Sequence, residues 1–215
     1  MGEIVKNEKN LSPKAKERYD KFIDATAEVF YEQGFENASM NDIVKKAGGS
    51  MTTLYKVFGN KETLFREMLD SKTNEFFNKF RQISIDYNDD IEGFLLNIGS
   101  VFIESTTDDR AVIIHRTMVS QGYKNGALLG KIFLEHTMEP MANIIAAYLK
   151  KEKEKKNIDV EDTVLAAYQF LHALKDPYLF KKVLGIDMEI TKEDKQKALR
   201  QAVNTICNGI KTSKV

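Results

Sequence analysis

Along this chain apolar residues return every three or four positions, the period of a helix with one buried face, and nowhere alternate as in a half-buried strand. Ser12-Pro13 offers a hydroxyl cap with proline at the first helical position, where a missing N–H costs nothing. Tyr19, Phe22, Ile23, Ala27 and Phe30 follow on one face, and Gly34 stops the helix. Ser39 with Asp42 resembles a capping box opening a short helix that Gly48 closes. Ser50 caps a second short helix. Asn60 caps a longer one carrying Leu64, Phe65, Met68, Leu69, Phe76 and Phe80 on one side.

The same period continues. Ile91, Phe94, Leu95, Ile98 and Phe102 mark a helix ending near Thr107, and Ala111, Ile114, His115 and Met118 one ending near Gly122. Leu129, Ile132, Phe133 and His136 begin another, which Pro140 interrupts by removing a bond to the His136 carbonyl. The charge run 150–157 reads as a solvated helix end and loop. Asp159 and Asp162 cap a helix bearing Val164, Ala167, Tyr168, Leu171 and Leu174, with Pro177 near its end. Thr191 caps the last helix, striped by Leu199, Ala202, Val203, Ile206 and Ile210. The pattern predicts an all-α protein.

Composition narrows the function classes. Thirty-two basic side chains balance thirty-two acidic ones, so any electrostatic partner must be met by a local patch. One cysteine excludes a disulfide framework and a zinc site of paired thiolates, and fits a reducing cytoplasm. The opening MGEIVKNEKNLS lacks the apolar core of a signal peptide, and no apolar run approaches a membrane span, so no membrane partner is expected.

Enzyme motifs fail on inspection, and neither metal nor cofactor is expected. Gly126 to Lys131 is one residue short of a phosphate-binding loop, with Ile132 where a hydroxyl belongs. Asp86, Asn88 and Asp90 imitate a calcium loop, but Ile91 and Asn97 replace the required glycine and glutamate. The residues three before the histidines, Val112, Phe133 and Gln169, exclude a di-iron site.

Residues 39–62 carry the informative pattern: two short helices joined by AGGS form a helix-turn-helix. Residues 1–72 hold twelve basic and twelve acidic side chains, yet Ile43–Lys61 contains Lys45, Lys46, Lys56 and Lys61 with no acid. Such a cluster suits DNA phosphates, while Ser50, Met51, Thr52, Thr53 and Tyr55 at the start of the second helix can reach base edges or sugar-phosphate. Ser39 and Asn60, at the starts of neighbouring helices, complete the DNA-binding set, and Lys61 lies where helix N-terminal amides also attract phosphate.

The run from Gly34 to Phe65 resembles the N-terminal signature of TetR-type (TetR/AcrR) transcriptional regulators. The matching positions are Gly34-Phe35, Ser39, Ile43, Ala47-Gly48, Ser50, Thr53-Leu54-Tyr55, Phe58, Lys61-Glu62 and Leu64-Phe65. Gly49 departs from the usual apolar turn residue, Thr52 from the usual glycine, and Val57 from an aromatic or histidine. Within the family, the GGS turn, Leu-Lys-Asp-Pro-Tyr at 174–178 and the closing Asn-Gly-Ile-Lys look similar to campylobacter-type multidrug-efflux repressors. The resemblance implies a DNA-binding domain over 1–58 and a helical ligand-binding and dimerisation domain over 59–215, with the helix from about 60 as connector. It implies a homodimer held by the last two long helices, roughly 159–176 and 192–210, that binds a palindromic operator. It also implies a small ligand that shifts the connecting helix.

Dimer candidates are Val164, Leu171, Leu199, Val203, Ile206 and Ile210. Ligand candidates are the apolar Phe102, Met118, Phe133, Met141 and Tyr168 with the polar His115, His136, His172 and Lys175. Helical stripes of this kind are also how cores pack. His172 and Lys175 share a helix face, so an amphipathic ligand with an anionic or strongly accepting end is expected. The competing reading, favoured by the altered turn, is an all-α ligand-binding or interaction module that no longer reads DNA.

Overall fold

The structure is a computed structural model that describes residues 11–86, 90–121, 123 and 127–210, without the side chains of 75–76, 79–86 and 121. The side chains of Phe76 and Phe80 of the predicted stripe, together with residues Asn88, Gly122, Gly126 and the opening decapeptide, lie outside what the structure describes. Every regular element among those described is helical: α1 (Pro13–Asn37), α2 (Met40–Ala47), α3 (Met51–Phe58), α4 (Lys61–Asp86), α5 (Ile91–Thr106), α6 (Asp109–Gln121), α7 (Leu128–Phe133), α8 (Glu139–Glu154), α9 (Thr163–Val183) and α10 (Lys192–Gly209). The chain divides into two compact units, residues 1–74 with 117–136, and residues 75–116 with 137–215.

In the first unit the caps act as the sequence predicts. Ser12 Oγ accepts from the Ala15 amide, and Ser39 and Asp42 form a complete capping box. Ser50 Oγ accepts from the Thr53 amide, and Asn60 Oδ1 from the Thr63 amide at 2.7 Å. Gly34, at φ 74°, breaks α1 at the predicted position, after which the chain makes one more turn to Asn37. Phe22, Phe30, Ile43, Leu54, Phe58, Leu64 and Phe65 form a largely aromatic core. The Phe58 ring meets Tyr19 at 5.2 Å and Phe22 at 6.1 Å, and this seats α3 on α1.

In the second unit α5 packs on α9 and α10, and α8 on α9. Phe94, Leu95, Ile98, Phe102, Phe170, Leu171 and Leu174 are buried there, and Phe94 stacks on Tyr148 at 3.7 Å. Three expectations are corrected. The interruption assigned to Pro140 falls earlier, as a π-helical stretch at Leu134–Met138, after which α8 restarts with proline in its first turn, where it is tolerated. The 150–157 run is not wholly solvated: Glu152 is buried and accepts bonds from Lys155 Nζ (2.9 Å) and Asn157 Nδ2 (2.7 Å), which pin the end of α8. Pro177 lies inside α9, which continues to Val183.

Candidate nucleic-acid interface and regulatory residues

α2 and α3 turn their apolar residues inward and leave one polar face. Met40, Ile43, Leu54 and Phe58 are buried, whereas Lys45, Thr52, Tyr55 and Lys56 are exposed, with Tyr55 at 49%. Met51 and Thr53 are half-buried, and Ser39, Ser50 and Asn60 are exposed at helix starts. The Thr53 hydroxyl lies 2.9 Å from that of Ser50, so both serve the α3 cap as well as its surface.

Two of the four predicted patch lysines have partners within the chain, Lys46 at the surface and Lys61 part-buried. Lys46 pairs with Glu28 at 3.0 Å and with Glu32, which raise its pKa by hydrogen bonding. The Lys61 ammonium donates to the carbonyls of Phe35 (2.7 Å), Glu36 (3.3 Å) and Ala38 (3.0 Å) and stands 4.5 Å from the Phe35 ring centroid. An ammonium has three N–H donors, and here each has a carbonyl; Lys61 ties the turn after α1 to α4. Burial lowers its pKa. Lys45, Lys46 and Lys56 of the helix-turn-helix are exposed, Lys46 within its surface ion pairs to α1.

Sequence reasoning missed Arg18. Gly48 and Gly49 have φ of 68° and 115°, a region open chiefly to glycine. Arg18 Nη1 donates to the Gly48 carbonyl at 3.1 Å. A Cβ at Gly49 would lie 2.6 Å from that nitrogen and 3.4 Å from the Phe22 ring. The glycine pair signals an unusual turn, but no local pattern points to a partner 30 residues away.

The ligand candidates fall in both units. Met118, Phe133 and His136 belong to the first; Phe102, His115, Met141, Tyr168, His172 and Lys175 belong to the second. Phe102, Phe133 and Met141 are buried, while Met118 and Tyr168 are half-buried. His136 Nδ1 bonds the Asp70 carboxylate of α4. In the second unit one residue, unmarked in the sequence, organises the polar candidates. Asp176 accepts from Lys175 Nζ at 2.8 Å and pairs with His172 Nδ1 at 2.8 Å. Burial pushes the Asp176 carboxyl up, but those two bonds outweigh it and leave it lowered. His115 Nδ1 lies 2.8 Å from the Ala111 carbonyl, and burial holds its pKa low. Lys175, itself buried, is thus already matched by the exposed carboxylate of its neighbour Asp176.

Of the dimer candidates, Leu171, Val203 and Ile210 are buried within their own chain; Leu199 and Ile206 are half-buried and Val164 is exposed. A groove of about 1020 Å³ runs between α9 and α10, lined by Leu165, Ala166, Ala173, Ala198, Ala202 and Ile206 among others. Leu165, at 55% exposure, is the large apolar side chain of that face that the sequence did not single out.

Among the described residues no helix is long and apolar enough to cross a membrane, and no group of three or more His, Cys, Asp or Glu is placed to hold a metal.

Comparison with known proteins places the chain. Residues 93–209 match the C-terminal domain of AefR-like transcriptional repressors, and residues 22–68 match the bacterial regulatory proteins of the tetR family. An HTH-type transcriptional regulator of Staphylococcus aureus is 33% identical over 87 residues, 40% of this chain and 46% of its own length. Another from that species is 30% identical over 99 residues, 46% of this chain and 53% of its own length. The match thus spans about half the length of these curated relatives. Among solved structures, a TetR-family regulator from Mesorhizobium loti superposes with a TM-score of 0.80 at 21% identity, over 94% of this chain and 100% of its own. The regulator FadR from Bacillus subtilis, in complex with stearoyl-CoA, superposes at 0.71 and 18% identity, over 89% and 99%. These likenesses establish the fold. Since a family model covers more than half of the sequence and a helix-turn-helix stands where its N-terminal signature lies, this chain belongs to the TetR family of transcriptional regulators.

Proposed function

We propose that this chain is a ligand-responsive repressor that binds a palindromic operator as a homodimer in the cytoplasm and is released by an amphipathic small molecule. Its DNA-binding domain is residues 1–58, and 59–215 bind ligand and partner. The observation that carries the DNA-reading part is the exposed face of α3, Thr52, Tyr55 and Lys56, beside Lys45 of α2 over a buried apolar base. Lys45 and Lys56 meet phosphates, while Thr52 and Tyr55 reach base edges or sugar-phosphate.

The α9–α10 groove is the second chain's seat. Its alanines allow close helix approach, and Leu165 supplies apolar area that a monomer leaves in water. For the effector, the class is an amphipathic anion, because buried Lys175 offers an ammonium whose present partner, Asp176, a ligand anion can replace. The stearoyl-CoA bound by the FadR neighbour is such a molecule. The resemblance of 174–178 to efflux-pump repressors supports an efflux gene as the target.

Selecting duplexes from a random-sequence pool with the full chain tests the reading. Recovery of a palindromic site, with affinity falling steeply with salt, is expected. Weak binding indifferent to sequence overturns it. Calorimetry with stearoyl-CoA and a neutral long-chain alcohol tests the effector class: Lys175→Met should weaken the anion at least tenfold and leave the alcohol nearly unaffected.

A further inference from the structure

The helix-turn-helix of this chain has an uncommon joint. Two consecutive glycines, both at positive φ, link α2 to α3, and neither has a side chain to hold the turn against the core. Glycine pays the largest backbone entropy on ordering, so an unsupported Gly-Gly joint leaves the angle between two helices loosely defined. The missing support comes from α1. Arg18 and Phe22, four residues apart and so on one face of that helix, both reach Gly49: the guanidinium stands where a Cβ would begin, and the fully buried Phe22 ring lies beneath. The guanidinium also donates to the Gly48 carbonyl at 3.1 Å, at the C-terminal end of α2, where the helix dipole favours a cation.

We infer that Arg18 is a positioning residue for DNA reading: its guanidinium replaces the absent turn side chain and fixes α3 at the angle at which Thr52, Tyr55 and Lys56 are offered together. Gly49 and Arg18 form one unit, because the space that any turn side chain would take is filled by Nη1, which lies 2.6 Å from the Cβ position. Arg18 is exposed, but its Nη1 is turned onto the Gly48 carbonyl, so its removal should affect the fit of α3 to a specific site more than the count of phosphates neutralised. Lysine retains the charge but lacks the planar fork that both fills the space and donates to the carbonyl, so it should restore function only in part.

This inference rests on the proposal that α3 reads DNA, and the experiment separates the two. Amide hydrogen exchange on the full chain, without DNA, compares the parent with Arg18→Ala and Arg18→Lys. Exchange across residues 48–54 should quicken about tenfold in Arg18→Ala and less in Arg18→Lys, with α1 and α4 unchanged; a tenfold change corresponds to about 1.4 kcal/mol. Unaltered exchange there overturns the clamp, whatever the DNA result. The same proteins are then titrated with the selected duplex and with mixed-sequence DNA over a salt series. About tenfold weaker binding of the selected duplex, with the salt slope and mixed-sequence affinity preserved, is the expected result. Equal losses on both DNAs with a flatter slope would make Arg18 a phosphate contact and overturn the positioning role. If the parent selects no duplex, the DNA-reading proposal fails, while the exchange data still decide whether Arg18 holds the turn.

Discussion

At Lys61 three carbonyls meet one ammonium, and this decides what the side chain can do. Removing it leaves those acceptors, two of them on buried residues, without a donor; orphaned acceptors cost about 1–3 kcal/mol. Lys61→Met should therefore lower the urea midpoint by an amount equivalent to about 1–3 kcal/mol while leaving the salt slope of DNA binding unchanged. A flattened slope with unchanged stability would return Lys61 to the phosphates. His115 gives a pH signature. Burial depresses its pKa, with Lys175 acting in the same direction and the Ala111 carbonyl and Asp176 opposing. The unfolded chain therefore binds more protons than the folded one just below the ordinary histidine pKa of about 6.5, so stability falls as pH drops through that value. Thermal melts from pH 7.5 to 5.5 should show this fall in the parent, with a slope of up to about 1.4 kcal/mol per pH unit from this group, and a shallower one in His115→Gln. Parallel curves would mean that His115 takes up its proton as readily in the folded chain as in the unfolded one, and would overturn the depressed pKa.

At the scale of elements, the caps were legible because a helix start is a local event: Ser39–Asp42 and Thr191–Asp194 each satisfy amides three residues away. Hydrogen bonds from Ser39 and Thr191 hold the carboxyl groups of Asp42 and Asp194 below the usual range, so their contribution is present at neutral pH and lost as pH falls through the lowered values. The end of α9 was not legible. Pro177 reads as a stop, yet the helix continues, and its last carbonyls, at Lys182 and Val183, accept from the Arg116 guanidinium of α6. Gly99 of α5 shows how closely the elements meet. A Cβ there would lie 2.6 Å from Leu199 Cδ1, 3.0 Å from Phe170 and 3.2 Å from Leu174. The Leu199 terminus can swing aside, but Phe170 and Leu174 are buried and close-packed. Gly99→Val should thus destabilise by about 1–3 kcal/mol in denaturant titration despite removing a helical glycine. A gain in stability would mean that α5 and α9 are loosely packed.

For the whole molecule, the proposed dimer sets the distance between two reading heads, which must engage major grooves about 34 Å apart. Leu165 tests it better than the buried positions of α9 and α10, since it is exposed in the single chain and its replacement leaves the core intact. Leu165→Arg should give a folded monomer in sedimentation with an unchanged far-ultraviolet spectrum, and weaker operator binding. A dimer of parental strength would move the interface elsewhere. The parent's melting temperature should also rise with protein concentration, as dissociation is coupled to unfolding.

The sequence by itself determined the helices, most of their beginnings and the inward faces of the first unit, because caps and 3–4 spacing act over a turn or two of chain. It also located the helix-turn-helix, whose signature is contiguous. Only the tertiary structure decided which charges remain for a partner. Lys46 meets Glu32 across 14 residues, Arg18 meets Gly48 across 30, and His136 meets Asp70 across 66. A lysine in an acid-free run looks available, yet its charge is settled by whatever another helix sets beside it. Helical periodicity places a side chain on a face but does not say what that face will meet.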